Sequence, residues 1–131
     1  MDTLIYVGAG GFLGANARYL LTIWADGLMQ ARWGVFPFGT LLVNVLGSFA
    51  LALFGVWFAA RTGLSPQLRL LVGAGFFGAF TTFSTFANES LSLWESQGTT
   101  AFLLNVALNN GLCLAGVVFG ILFGQRLFAN A

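Results

Sequence analysis

Gly73-Ala74-Gly75-Phe76-Phe77-Gly78-Ala79-Phe80-Thr81-Thr82-Phe83-Ser84-Thr85-Phe86 opens as an apolar, glycine-rich helix and turns into an alternation of hydroxyls and phenyl rings, with no charge to interrupt it. In a bilayer, lipid offers no hydrogen-bond partner, so hydroxyls and loosened backbone at that depth must be used by something else. The stretch therefore predicts a transmembrane helix broken at residues 78–82, whose second half lines an ion path. Phe83 and Phe86 stand three apart and share one helix face. Two phenylalanines at that spacing ordinarily just pack, but here Thr81, Thr82, Ser84 and Thr85 surround them.

Composition supports the bilayer reading. The chain has 131 residues, 58% hydrophobic and only 7% charged, against about a quarter charged in soluble domains. Each span needs roughly 20 apolar residues, so residues 1–131 are expected to form one integral membrane domain of four helices with short loops. The first apolar segment lacks a basic flank, and no cleavable leader is expected. With no His, one Cys and four carboxylates, metal and nucleophilic catalytic constellations have little to draw on. An enzyme is not expected. The net charge of +1 gives no case for nucleic acid.

The spans are expected at about residues 4–24, 38–60, 68–94 and 101–124. In the first, Gly10 and Gly14 and then Gly11 and Ala15 place small residues four apart, which lets helix backbones approach closely in lipid. The glycines do not read as a dinucleotide fingerprint, since no strand precedes them. Arg18 stands inside this span, either as an interfacial anchor with Tyr19 and Trp24 or as an anion-attracting charge at a pore mouth. Residues 25–37 are expected to form a polar loop carrying Asp26, Gln30 and Arg32.

The second span carries Thr40, Asn44 and Ser48, spaced four apart as one polar stripe. Such residues can bond their own helix or join helices together, but three in line exceed what joining requires. In the fourth span, Asn105 and Asn109 form a second stripe suited to face the first. Asn88 and Glu89 follow the hydroxyl and ring cluster of the third. The lone Cys113, in an apolar run, reads as a buried small residue.

Four spans place both termini on one side with Arg61, Arg69 and Arg126, against Arg32 and Arg18 on the other. Basic residues in short loops set orientation, and this bias is weak. A chain with so little preference can insert both ways, and an antiparallel homodimer would create the inverted symmetry that longer transporters encode within one chain. Amides, hydroxyls and the positive edges of phenyl rings can solvate a small, hard anion at weak, multiple sites, as conduction requires. The residues by themselves suggest a small-anion conductor.

With these motifs in place, the chain resembles the Fluc/CrcB family of fluoride channels over nearly its whole length. The matching positions run from Gly10-Gly11, Gly14-Ala15 and Arg18-Tyr19, through Gly39-Thr40-Leu41, Val43-Asn44 and Gly47-Ser48-Phe49, to Gly75-Phe76, Gly78 and Thr81-Thr82-Phe83-Ser84-Thr85-Phe86. The resemblance implies an all-α, dual-topology, antiparallel homodimer in the cell membrane. It also implies two pores that export fluoride passively and confer fluoride resistance.

In that family's terms, Phe83 and Phe86 turn their edges to fluoride and Asn44 is the pore asparagine. Ser84, Thr85 and Thr40 fit the polar track. Asn105 and Asn109 take track positions on the fourth span where some members carry Tyr or Ser. Gly78 and Thr81 match the carbonyls that hold a structural sodium ion at the dimer centre. Arg18 matches the vestibule arginine, and Glu89 an acidic position after the hydroxyl-rich motif. Phe80 stands at a site that is often small or aliphatic.

Two other readings compete. A small multidrug-type transporter also has four spans and dual topology, but needs a glutamate in its first span, and there is none here. A non-conducting membrane assembly protein would use the same stripes only to join helices.

Overall fold

The computed structural model describes residues 2–128, and these are helical apart from short connections. Helix α1 (Asp2–Trp33) and α2 (Phe38–Ala59) come first. A composite third rod follows: α3 (Pro66–Arg69), an eight-residue π-helix π1 (Leu70–Phe77) and α4 (Gly78–Phe80), then a break, then α5 (Phe83–Gln97). Helix α6 (Thr99–Phe128) closes the chain. Three segments, Phe38–Ala59, Pro66–Gln97 and Thr99–Phe128, are long and apolar enough to cross a membrane. The chain is thus a multi-pass membrane protein. Helix α1 has the length of a span but not the apolarity of the other three.

Two expected boundaries differ. The polar loop anticipated at residues 25–37 is mostly helix, because α1 continues to Trp33. Ala25, Leu28, Met29, Gln30, Ala31 and Arg32 are good helix formers that carry the helix through Gly27, and it stops at Gly34. Gly34 adopts φ +76, and its N–H closes onto the Gln30 carbonyl at 3.1 Å, as C-terminal glycines do. Likewise the loop expected at residues 95–100 shrinks to Gly98, at φ +89, between α5 and α6.

Packing follows the small residues. Helix α6 lies along α2, and α1 along π1. Gly10 and Gly14 are buried against the backbone of Leu71 and Phe76, where no side chain would fit. On the other pair, a Cβ at Gly120 would come within 2.5 Å of the Phe49 carbonyl oxygen. Glycines therefore permit both close helix pairs, as small residues do in lipid. Gly47 has a similar function, because its missing side chain leaves room for the Phe80 ring and the Thr81 methyl. Phe80 is buried there and stacks on Phe76 at 5.6 Å.

Two polar anchors sit at helix starts. Ser65 caps α3 through the Leu68 N–H, with Pro66 at the first helical position. Asp26 Oδ1, on α1, accepts the Gly39 N–H at 2.8 Å, satisfying one of the free donors at the start of α2.

Candidate functional site

The break falls at Thr81 and Thr82, which are both extended (ψ 155 and 111), inside the window of residues 78–82. Extended backbone at membrane depth exposes peptide groups that must find partners. Asn44 of α2 supplies them. Its Oδ1 accepts the Thr82 N–H at 2.8 Å, and its Nδ2 donates to the Thr82 carbonyl at 3.1 Å. The second Nδ2 hydrogen goes to Asn109 Oδ1, also at 3.1 Å. One buried amide thus holds both backbone polar groups of Thr82 and joins them to α6.

This bracing has a consequence for the carbonyls of the break. In an unbroken helix, Gly78 C=O would receive the Thr82 N–H and Thr81 C=O the Thr85 N–H. Here the first donor is directed to Asn44 and the second to the Thr82 hydroxyl, at 3.3 Å. The Thr82 side chain is therefore the cap of α5, and it also donates to Thr85 Oγ1 at 2.9 Å. Thr81 turns its hydroxyl back onto the Phe77 carbonyl.

From Asn109 a buried polar ladder runs inward. Asn109 Nδ2 donates to Asn105 Oδ1 at 3.0 Å, and Asn105 Nδ2 to Ser90 Oγ at 2.9 Å. Ser90 returns the chain to the Phe86 carbonyl at 2.7 Å. Asn105 is fully enclosed, at 0% exposure. Beside this ladder, the Thr40 hydroxyl donates to Glu89 Oε1 at 2.9 Å. Glu89 Oε2 is buried without a partner among the described residues.

A cleft of about 440 Å³ opens over the break, bordered by Asn44, Ser48, Thr82, Phe83, Phe86 and Asn109 among others. The two rings meet edge to face, with centroids 5.4 Å apart. Phe86 is 7% exposed and forms the cleft's inner wall, while Phe83 is 75% exposed and stands at its rim. The cleft is consequently lined by amides and hydroxyls together with the two phenyl rings and aliphatic side chains. No ionised side chain borders it among the described residues.

The expected site residues divide accordingly. Asn44, Thr81, Phe83, Phe86 and Asn109 come together at the cleft. Thr85 stands next to it through its bond to Thr82. Thr40 and Asn105 lie behind it in the buried polar layer. Gly78 is a few residues before the break, with open space around its α-carbon. Ser84 is exposed, and Arg18 is half-buried on α1; neither borders the cleft. Glu89 faces a separate small cavity shared with Asp26.

Nothing in the sequence pattern marks Ser90 as a site residue or Asp26 as a helix cap. A serine four residues after Phe86 looks like one that bonds its own helix, which it does, and only α6 reveals its second contact.

The family described as "CrcB-like protein, Camphor Resistance (CrcB)" matches residues 5–121. A "Fluoride-specific ion channel FluC" of Shewanella sp. (strain ANA-3) is 46% identical over 129 residues, 97% of this chain and 96% of that protein. Proteins of the same description from Shewanella woodyi and Shewanella baltica (strain OS185) are 44% and 46% identical over the same shares. With a braced break, a ring pair at its mouth and matches over nearly the full length of both partners, the chain belongs to the CrcB-like family.

Proposed function

We propose that the chain is a fluoride-selective channel that carries the ion passively across the cell membrane. The observation that carries this reading is the cleft over the Thr81–Thr82 break, which brings the Phe83 and Phe86 rings together with amides and hydroxyls and has no fixed charge among the described residues. The names of its relatives agree with it. Ring edges hold the positive side of the aromatic quadrupole. A small anion gains attraction from such edges without being trapped, as conduction through several weak sites requires. Both Asn44 amide hydrogens are engaged, one of them with Asn109, so Asn44 positions the break and fluoride would exchange for that partner.

The functional unit in this proposal is an antiparallel homodimer with two pores. Phe83, 75% exposed in one protomer, leaves the cleft open on one side, and a second copy would close it.

A structural sodium ion fits the break. Its natural ligands are carbonyl oxygens, and the Gly78 and Thr81 carbonyls are among those whose helical donors the break takes away. Two pairs related by a dimer axis would hold the ion, which would supply a fixed positive charge and tie the two breaks together. Gly78, with nothing near its α-carbon, leaves room for that approach.

The test is anion efflux from liposomes holding the purified protein, followed with fluoride and chloride electrodes. Fast fluoride loss that depends on a potassium shunt, with chloride retained, is the expected result. Retention of fluoride by well-folded protein would defeat the proposal.

A further inference from the structure

A second cavity, of about 330 Å³, lies between α1, α2 and α6 and shares no lining residue with the cleft. Its walls include Trp24, Leu28 and Met29 from α1, Leu41 and Val45 from α2, and Leu112 from α6. All are apolar. Trp24, Leu28, Met29 and Leu112 are exposed, so no described residue of the protomer covers the groove.

The α1 side of this groove is a helical stripe. Trp24, Leu28 and Met29 are spaced so that they share one face, and the next residue on that face is Arg32, four beyond Leu28 and three beyond Met29. Arg32 is exposed and lies in the last turn of α1. At 32 residues, α1 is about 48 Å long, against roughly 30 Å of hydrocarbon. The helix therefore outreaches the acyl region, and its last turns, which carry Asp26, Gln30 and Arg32, are the ones whose polarity suits the depth of the lipid headgroups. By helix register Arg32 lies one turn beyond Leu28 and Met29, at the end of an apolar groove that starts beside Phe38, the first residue of α2, and extends to Val45.

We propose that this groove is a binding site for an anionic phospholipid, with its phosphate on Arg32 and an acyl chain between α1, α2 and α6. The charge settles the occupant. A groove for any lipid chain needs no cation at its mouth, whereas guanidinium pairs with phosphate in a geometry that two oxygens can share, and a headgroup of net negative charge has no ammonium to offset that attraction. A role for Arg32 only in completing the α1 dipole would leave headgroup preference unchanged. The amphipathic ring of Trp24 also suits the boundary between headgroup and chain.

Trp24 provides the readout. A variant with Trp33, Trp57 and Trp94 changed to Phe keeps Trp24 as its single indole. It is placed in phosphatidylcholine vesicles carrying equal fractions of dibrominated phosphatidylglycerol or dibrominated phosphatidylcholine, and quenching is measured. One basic residue near an anionic headgroup is worth a roughly fivefold preference. That preference for phosphatidylglycerol is the expected result.

Arg32→Gln should abolish the preference and Arg32→Lys should keep it. In otherwise unmodified protein, Trp24→Phe should remove the lipid-selective component of quenching. Equal quenching by both lipids would show a generic lipid-facing surface and overturn the proposal. Absence of quenching by either would mean that a second copy or another segment covers the groove, and would overturn it equally. A preference that survives Arg32→Gln would place the anionic lipid elsewhere and remove Arg32 from the site. None of these readouts depends on the ion the protein conducts.

Discussion

Asn44 and Phe83 occupy the same cleft and should fail in different ways. Asn44 holds three hydrogen bonds, two of them to the backbone of Thr82. Asn44→Leu removes all three partners' contacts at once, and each buried polar group left unpaired costs about 1–3 kcal/mol. The expected outcome is a lower melting temperature together with lost fluoride efflux. Phe83 is held only at the cleft rim, so Phe83→Ile should leave folding and assembly intact while fluoride efflux falls by at least about tenfold, or ~1.4 kcal/mol. Size-exclusion chromatography beside the liposome assay separates the two cases. Efflux from Phe83→Ile at the parent rate would remove that ring from the conduction mechanism. Asn44 is legible as a candidate site residue from its place in a polar stripe. Its bracing of Thr82 is not, because the contact spans 38 positions of sequence and depends on a break that periodicity locates only to within a few residues.

At the scale of elements, the third rod is the informative one. Its break is legible in the sequence, since alternating hydroxyls and rings suit neither a lipid-facing helix nor a packed one. The π-helix ahead of it is not. Its sequence, Leu70 to Phe77, carries no marker for the wider turn, and it lies where Gly10 and Gly14 bring α1 against the Leu71 and Phe76 backbone. The length of α1 escapes a reading by polarity for a different reason. Asp26, Gly27, Gln30 and Arg32 together resemble a loop, but Leu28, Met29 and Ala31 continue the helix until Gly34.

Two predictions belong to this scale. Gly14→Val sets a branched side chain against the Phe76 carbonyl. Backbone cannot yield there as a flexible side chain would, so the variant is expected to accumulate as misassembled protein in detergent. Thr82→Val deletes the cap of α5, at a cost of about 1 kcal/mol. It should lower the melting temperature by a few degrees and reduce efflux, while Thr82→Ser, which keeps the hydroxyl, should restore both. An equal loss in Thr82→Ser would assign the effect to the methyl group and not to the cap.

For the whole molecule the question is orientation. The connection between α1 and α2 meets the α5–α6 turn, because Gln97 Nε2 donates to the Val35 carbonyl. This end carries Arg32, and the opposite end carries Arg61, Arg69 and Arg126. Arg61 is also drawn onto the Trp57 ring, 6.0 Å from its centroid. Orientation follows the basic residues of short connections, and so narrow an imbalance fits insertion in both directions, as the proposed antiparallel assembly requires. The imbalance can be enlarged by design. Changing Ser96 and Thr99, which are exposed beside the α5–α6 turn, to Arg should favour one orientation. Changing Arg32 to Gln, with Arg substituted at exposed Thr62, should favour the other. Each variant expressed alone should conduct no fluoride, since a population facing one way cannot form antiparallel pairs. Expressed together, the two should form mixed dimers and recover efflux. Full activity from either variant alone, with its termini mapped to a single face, would exclude antiparallel pairing and require that a parallel arrangement close the cleft at Phe83.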